Sequence, residues 1–376
     1  MKNCVHIVTT LELGGAQQNT LFTVENLKVY SGILIYGEKG PLEEPDVSTF
    51  RVKFLVRRIH PFYDILAFFK ILKILKKIKP FIVHTHSSKA GIIGRWAAYF
   101  AKVPVIIHTF HGFGFNDWQK PFVRNFFIFL EKITAKITTH LFAVSHENVK
   151  KAISLGICGN EKISVVHSGI DVKKFENTIS KEQAKLNFGI SSEIPVVGMV
   201  ACFKEQKAPL DFVEIGHRLK EKIKDIKFIL VGDGILRDSI EKKIYEYRLS
   251  DDFILTGWRR DIEKILPAFD VNVLTSLWEG LPRVILEAGI LLIPQVVSNV
   301  DGNREIIENG VNGFLVEPHD IDAFVEKIIY CLENPDVVRV FVRKLRKKIY
   351  GDFEINNMVY LIERKYRELE KTLEGK

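Results

Sequence analysis

Short runs rich in β-branched residues recur along the chain, each followed by a longer stretch with helical spacing, and this alternation limits the possible folds more than any other feature. VHIVTT (5–10) precedes a helical pattern over 16–27, GILIYG (32–37) precedes one over 64–79, and FIVHTH (81–86) precedes one over 90–101, after which comes VPVIIHTF (103–110). Strands separated by helices run parallel, since a tight hairpin cannot accommodate the intervening helix, so the pattern predicts a parallel sheet covered by helices.

The rhythm reaches ISVVHSGI (163–170), gives way to the polar stretch DVKKFENTISKEQAKLNFGISSE (171–193), and restarts. PVVGMVA (195–201), KFILVGDG (227–234), DFILTGW (252–258), DVNVLTS (270–276) and PQVVSNV (294–300) are the strands of the second series. At 376 residues the chain is too long for one ordinary core and fits two domains at ~150 residues each. We therefore expect α/β architecture: a Rossmann-like domain over 1–170, a linker over 171–193, a second Rossmann-like domain over 194–351, and an amphipathic C-terminal helix over 352–376. Two such domains leave a cleft between facing strand ends, where open α/β sheets bind ligands.

The net charge of +8 is unevenly distributed. Residues 1–170 hold 22 Lys and Arg against 11 Asp and Glu, and the remainder is net −3, so the first half attracts an anionic partner: nucleic acid, anionic lipid or a phosphorylated ligand. Cys4, Cys158, Cys202 and Cys331 are scattered without a C-x-x-C pair, which argues against a zinc ribbon or disulfide scaffold and fits a reducing cytosol. MKNCVHIVTT runs straight into a strand pattern and no stretch reaches ~18 uninterrupted apolar residues, so neither secretion nor a membrane span is expected.

Chemistry is best sought in LTSLWEGLPRVILEAG (274–289), which sets Glu279 before a Gly-Leu-Pro turn and Glu287 inside an apolar run. A strand ends before it, and Pro282 is expected at the first helical position, where its missing N–H does no harm. Free N–H groups at such a helix start can hold phosphate oxygens or a sugar hydroxyl. Composition alone also allows Glu287 to pair with Arg283 at i,i+4 on a solvated face, but the neighbours Val284, Ile290 and Leu291 make that face apolar, an odd setting for a merely solvated carboxylate.

With Glu279-Gly280-Leu281-Pro282 and Glu287 the sequence resembles the retaining glycosyltransferases of family 4, whose signature is Glu-x7-Glu. The resemblance extends through GGAQ (14–17), HTHSSKAG (84–91), HTFHGF (108–113), VSHENVKK (144–151), VVHSGID (165–171), QKAPLDF (206–212), VGDG (231–234), LTGWRRDI (255–262) and DGNREIIENGVNGFLV (301–316). It implies the GT-B architecture, two Rossmann-like domains with parallel sheets facing across a cleft. The first would serve the acceptor, the second would bind a nucleotide-sugar, and the C-terminal helix would cross back to the first.

The same resemblance assigns residues. Glu287 would bind the donor ribose and Glu279 would contact the donor sugar near the reacting carbon, with Gly280, Leu281 and Pro282 bringing backbone to sugar and phosphate. Gly14 and Gly15 suit a loop that approaches a diphosphate closely. The departing diphosphate needs fixed cations where no metal serves. Lys207 keeps the family's lysine position, whereas Cys202 stands where an Arg is expected, and Lys204 is the natural substitute. An ammonium is a point charge and does not reproduce the guanidinium fork. Gly257 and Arg259 fall at the nucleobase contacts. His111 would polarise the donor sugar without acting as base, and His86 and Lys89 are expected at the cleft edge, near the acceptor.

His84 and His86 alternate on one strand face, yet no third ligand follows at metal-like spacing and there is no convincing D-x-D motif for a metal–diphosphate bridge, so no metal is expected. No cofactor is expected beyond the nucleotide-sugar, which is a substrate. ILAFFKILKILKKIK (65–79) and KPFVRNFFIFLEKITAK (120–136) combine apolar faces with lysines, as sheet-covering helices or as helices lying on an anionic bilayer. No nucleic-acid recognition module accompanies the basic residues. The resulting expectation is a cytoplasmic, peripherally attached, metal-independent transferase that moves a sugar from a UDP- or GDP-sugar to a glycan or lipid-linked saccharide. A catalytically silent nucleotide-sugar-binding protein, favoured by the missing Arg, and a sugar-nucleotide epimerase are the alternatives.

Overall fold

The computed structural model describes residues 1–376 except Leu13, Asn116 to Trp118, Asn177 and Lys376. The chain divides into two units, Met1–Gly169 together with Ile355–Lys376, and Ile170–Glu354.

The first unit contains, among the described residues, strands β1 (Lys2–Thr10), β2 (Tyr30–Glu38), β3 (Ser48–Arg51), β4 (Ile82–His86), β5 (Val105–Phe110), β6 (His140–Ala143) and β7 (Ile163–Val165). Their order is β3-β2-β1-β4-β5-β6-β7 and every pairing is parallel. Side chains alternate across the strands, so each face gathers its own core. Val5, Ile7 and Val83 pack with Ala67, Ile71 and Leu75 of helix Pro61–Ile78 and with Ala90 and Ala97 of helix Ser88–Phe100. Cys4, Ile82, Val105 and Ile107 face the other way, against Ile355, Met358, Val359, Ile362 and Tyr366 of helix Ile355–Glu374. Burial of each aliphatic side chain contributes roughly 1.5–3 kcal/mol, which ties the C-terminal helix to this unit.

The second unit contains β8 (Val196–Val200), β9 (Lys227–Val231), β10 (Phe253–Leu255), β11 (Val271–Leu274), β12 (Gln295–Ser298) and β13 (Phe314–Val316) among the described residues, in the order β10-β9-β8-β11-β12-β13 and again all parallel. Strands β3, β6 and β13 are not among the strands read from the sequence. Residues 171–193, polar enough to read as linker, belong to this unit and carry helices Lys173–Glu176 and Lys181–Leu186. Lys185 is 2% exposed there, its ammonium bonded to the carbonyls of Ser192 and Ile194 and to Asp270. Composition cannot distinguish that satisfied lysine from a solvated one.

Candidate functional site

Because the strands of the second unit are parallel, their carboxyl ends share one edge, and backbone contacts stitch the loops there in series. Gly232 N–H donates to the Gly257 carbonyl at 3.0 Å, and Phe203 N–H to that of Asp233 at 2.9 Å. Leu277 N–H donates to the Gln206 carbonyl at 2.8 Å, while the Gln206 side-chain amide returns to Trp278 O at 2.8 Å. Thr275 Oγ1 lies 2.9 Å from the carbonyls of both Lys207 and Ala208. Gly302 packs so closely on the Gly280 carbonyl that a Cβ would fall 1.9 Å from it, which excludes any larger residue without movement of backbone.

At the centre of this rim Lys207 bonds to Glu279. Ser276 Oγ donates to the same carboxylate oxygen at 2.6 Å, and Glu279 is only 8% exposed. The ammonium and hydroxyl together compensate a charge whose unpaired burial would be costly. Lys204 opens the turn Glu205–Lys207 that presents Lys207. Sequence reading singled out Lys207 and Glu279 but gave no role to Ser276 and Gln206, whose partners lie on a loop distant in sequence or on the far side of a turn.

Glu287 pairs with Arg283, Nε to Oε1 at 3.3 Å, on helix Arg283–Ile290. The i,i+4 pairing is the one composition allowed, but its setting is not a solvated face: the two side chains are 14% and 13% exposed. Pro282 is not at the first helical position; it precedes the helix with an extended ψ of 116°. Gly257 has φ +67°, a left-handed conformation that suits glycine, and the Arg259 guanidinium makes a bidentate pair with Asp261 at 2.8 and 2.6 Å.

In the first unit Gly14 precedes helix Gly15–Asn26 shortly after β1, and His111 follows β5 directly, so both occupy the carboxyl edge of that sheet. His86 is not an edge residue with a free ring: it is 3% exposed and bonded on one side to His6 and on the other to His111, each N···N distance 3.0 Å. Lys89 is likewise engaged, by Asp64 at 2.6 Å and by the Arg58 carbonyl. The His86 ring is thus held inside the unit by two neighbouring imidazoles, and the Lys89 ammonium is taken up by contacts within the unit.

Burial makes this imidazole cluster hard to charge. It lowers His6 to about 3 and His111 to about 4, and holds His84 and His86 well below the usual histidine range, with neighbouring imidazoles adding to the effect on the last two. Local spacing offers no third metal ligand beside His84 and His86, but the sheet supplies one: His6 on β1 is paired in register with His84, and nitrogens of the three rings lie within 4.8 Å of one another. His84 is committed to Tyr366 through Nδ1 and to Thr109 Oγ1 through Nε2, the latter at 2.6 Å.

Residues 180–349 match the family of glycosyl transferases group 1, and residues 28–174 match glycosyltransferase family 4. The chain is 37% identical, over 97% of its length and 96% of the relative's, to UDP-Gal:alpha-D-GlcNAc-diphosphoundecaprenol alpha-1,3-galactosyltransferase of Escherichia coli. It is 30% identical, over 73% of its length and 74% of the relative's, to N,N'-diacetylbacillosaminyl-diphospho-undecaprenol alpha-1,3-N-acetylgalactosaminyltransferase of Campylobacter jejuni subsp. jejuni. The crystal structure of Anabaena Alr3699/HepE in complex with UDP and glucose superposes with a TM-score of 0.82 at 17% identity, covering 98% of this chain and 100% of that one. Two parallel-sheet Rossmann-like units of this kind define the GT-B glycosyltransferases. The chain belongs to glycosyltransferase family 4.

Proposed function

We propose that this glycosyltransferase is retaining and metal-independent and moves a galactosyl or related hexosyl group from a UDP-sugar to a saccharide carried on a polyprenyl diphosphate, in cell-surface polysaccharide synthesis. The observation that carries the reading is the meeting of Lys207 and Glu279 at the carboxyl edge of the second sheet, a fixed cation beside a fixed acid on stitched loops. The E. coli and C. jejuni relatives, both named for acceptors on diphosphoundecaprenol, support the acceptor class, and the first supports UDP-galactose.

In the proposed reaction the bond from sugar C1 to the diphosphate oxygen breaks with its electrons on that oxygen. The acceptor hydroxyl bonds to C1 from the same face and passes its proton to the departing phosphate. Lys207, with Lys204 in the role of the family's Arg, would offset the charge that develops, and Glu279 would orient the sugar. Glu287 is assigned to the ribose, Gly280 to Pro282 and the Gly14–Gly15 turn to backbone contacts, Gly257 and Arg259 to the base, and His111 to the sugar. Protein cations rather than a metal or cofactor serve the leaving group.

A lipid-borne acceptor calls for access to a membrane surface. No helix of the described residues is long and apolar enough to cross a bilayer. Helix Pro61–Ile78 buries Ala67, Ile71 and Leu75 on the sheet, yet leaves Phe62, Ile65 and Phe69 exposed beside exposed Lys70, Lys73, Lys76 and Lys77. Phe122, Phe126 and Phe129 project likewise from helix Pro121–Lys136. This basic, aromatic surface suits peripheral attachment to an anionic leaflet from the cytoplasmic side.

The test is incubation with UDP-galactose, other UDP-hexoses or a GDP-hexose and a synthetic GlcNAc-diphosphate lipid, with and without EDTA, followed by mass and anomeric analysis. Transfer giving an α-linked product unaffected by EDTA is expected. Binding without turnover would select the silent-binder reading, which Cys202 at the Arg position favours, and an isomerised nucleotide-sugar without transfer would select an epimerase.

A further inference from the structure

Arg57 and Arg58 are held at the carboxyl edge of the first sheet by residues that follow three of its strands. Arg57 N–H donates to Oε2 of Glu38, the last residue of β2, at 3.0 Å. Arg57 Nη1 lies 3.1 and 2.9 Å from the two carboxylate oxygens of Glu12, just past the end of β1. Lys89, in the first turn of the helix after β4, bonds the Arg58 carbonyl and pairs with Asp64 at 2.6 Å. The residues leading into this stretch sit as tightly, since a Cβ on Gly37 of β2 would fall 1.8 Å from the Leu55 carbonyl oxygen. The carboxyl edge is also where open α/β sheets bind their ligands.

One cation on this pinned backbone is unspent. Arg57 is engaged by Glu12 and Lys89 by Asp64, whereas Arg58 is exposed and its guanidinium has no hydrogen-bond or ion-pair partner among the described residues. A guanidinium on fixed main chain suits one phosphate group, which it can grip with two parallel bonds. Lys70, Lys73, Lys76 and Lys77 of the neighbouring helix are point charges on flexible stems, better matched to a diffuse anionic surface. Immediately after Arg58 the surface turns apolar: Ile59, Phe62 and Phe69 are exposed, the last two on one stripe of helix Pro61–Ile78.

A fixed arginine at a ligand-binding edge, followed at once by an exposed apolar track, complements an anion that carries a sugar on one side and a lipid on the other. We infer that Arg58 binds the diphosphate of the lipid-linked acceptor, with Lys89 as a positioning residue that holds the Arg58 backbone and with Ile59, Phe62 and Phe69 meeting the start of the lipid chain. The inference rests on the acceptor class proposed above. The phosphate of an anionic phospholipid offers a guanidinium the same bonds, but only the acceptor requires its phosphates beside a sugar, and therefore at the strand ends.

The test uses the full chain, UDP-galactose and a synthetic GlcNAc-diphosphate lipid in neutral detergent micelles, where no other lipid phosphate competes. Arg58→Gln removes no contact of the fold. It should raise the acceptor KM about tenfold or more, the scale of one hydrogen bond to a charged group, and leave kcat and the KM for UDP-galactose unchanged, as loss of uniform binding does. Arg58→Lys should recover only part of the loss. Lys89→Met should raise the acceptor KM by less than Arg58→Gln does. An unchanged acceptor KM in Arg58→Gln, or a raised KM for UDP-galactose, overturns the inference while leaving the transfer reaction in place. Weaker binding to phosphatidylglycerol vesicles with an unchanged acceptor KM would assign Arg58 to phospholipid and overturn it likewise. Titration of a fluorescent GlcNAc-diphosphate lipid in the same micelles separates the site from the reaction. Binding about tenfold weaker in Arg58→Gln, without turnover in either protein, upholds the site and refutes only the proposed reaction; equal binding by both, or binding by neither, overturns the site.

Discussion

Lys207 and Glu279 are separated by 72 residues and bonded to each other, one on the loop after β8 and the other on the loop after the adjacent strand β11. The pair is largely buried, with side-chain exposures of 17% and 6%, and Ser276 shares the carboxylate. Each charge is thus the other's chief compensation, which makes the pair a structural clasp between the two loops.

Breaking the pair from either side should cost most of what removing it whole costs. Lys207→Met or Glu279→Gln alone is expected to lower stability by about 3 kcal/mol, since each leaves an uncompensated buried group, and the double variant by less than the sum, with a coupling on the order of 1–3 kcal/mol. Urea unfolding of the three variants measures this, and additive losses would refute it. Transfer should fall at least about a hundredfold in each, the scale of removing one group that stabilises transition-state charge.

Gly302 lies against the Gly280 carbonyl, so its replacement reports on the turn that follows Glu279. The backbone of Gly302 (φ −67°) suits any residue, hence Gly302→Ala tests contact alone. We expect a loss of about 1–3 kcal/mol from overpacking and weaker UDP binding by calorimetry. Unchanged affinity would detach this loop from donor binding.

The buried imidazoles predict acid sensitivity with a definite sign. His6 titrates at about 3 and His111 and His140 at about 4 in the folded protein, His84, His86 and His108 well below the usual range, and burial is the leading cause throughout. Above the unfolded value of roughly 6.5 both states are neutral and stability is level. As pH falls toward 4 the unfolded chain takes up protons that the folded one refuses, so stability should decline, by up to ~1.4 kcal/mol per pH unit for each excluded proton. Melting temperatures at pH steps from 8 to 4 test it; a level profile down to pH 4 would contradict these values.

Attachment to anionic lipid should depend on both components of the exposed face. Lys73→Glu with Lys76→Glu is expected to weaken binding to phosphatidylglycerol vesicles by about 1 kcal/mol per lysine or more, in a salt-dependent way. Phe62→Ser with Phe69→Ser should weaken it with little salt dependence. Sedimentation with the vesicles distinguishes the two, and full binding by both double variants would exclude this face.

Much of the architecture is legible locally. Strands β1, β2, β4 and β5 announce themselves by β-branched runs, and helix Pro61–Ile78 by its buried 67-71-75 spacing, because burial on one face imposes a period on the sequence. Glu279 and Glu287 stand out as acids in an apolar stretch. Ser276, Gln206 and Gly302 fall inside recognisable stretches without any sign of their partners; only the loops they join give them a role. His86 shows the opposite failure, since a polar residue at a strand end reads as accessible until neighbouring strands and helices are seen to close over it.

The sequence alone determined the alternation of strand and helix, the restart after residue 170 and the acid pair around Gly280, all features that nearest neighbours along the chain impose. Tertiary structure decided which strand ends adjoin: that His6 joins His86 and His111, that Lys207 faces Glu279, and that Lys185 is buried rather than solvated. The reason is that lateral order in a parallel sheet is set by crossover connections and packing between distant segments, which leave no period in the local sequence to read.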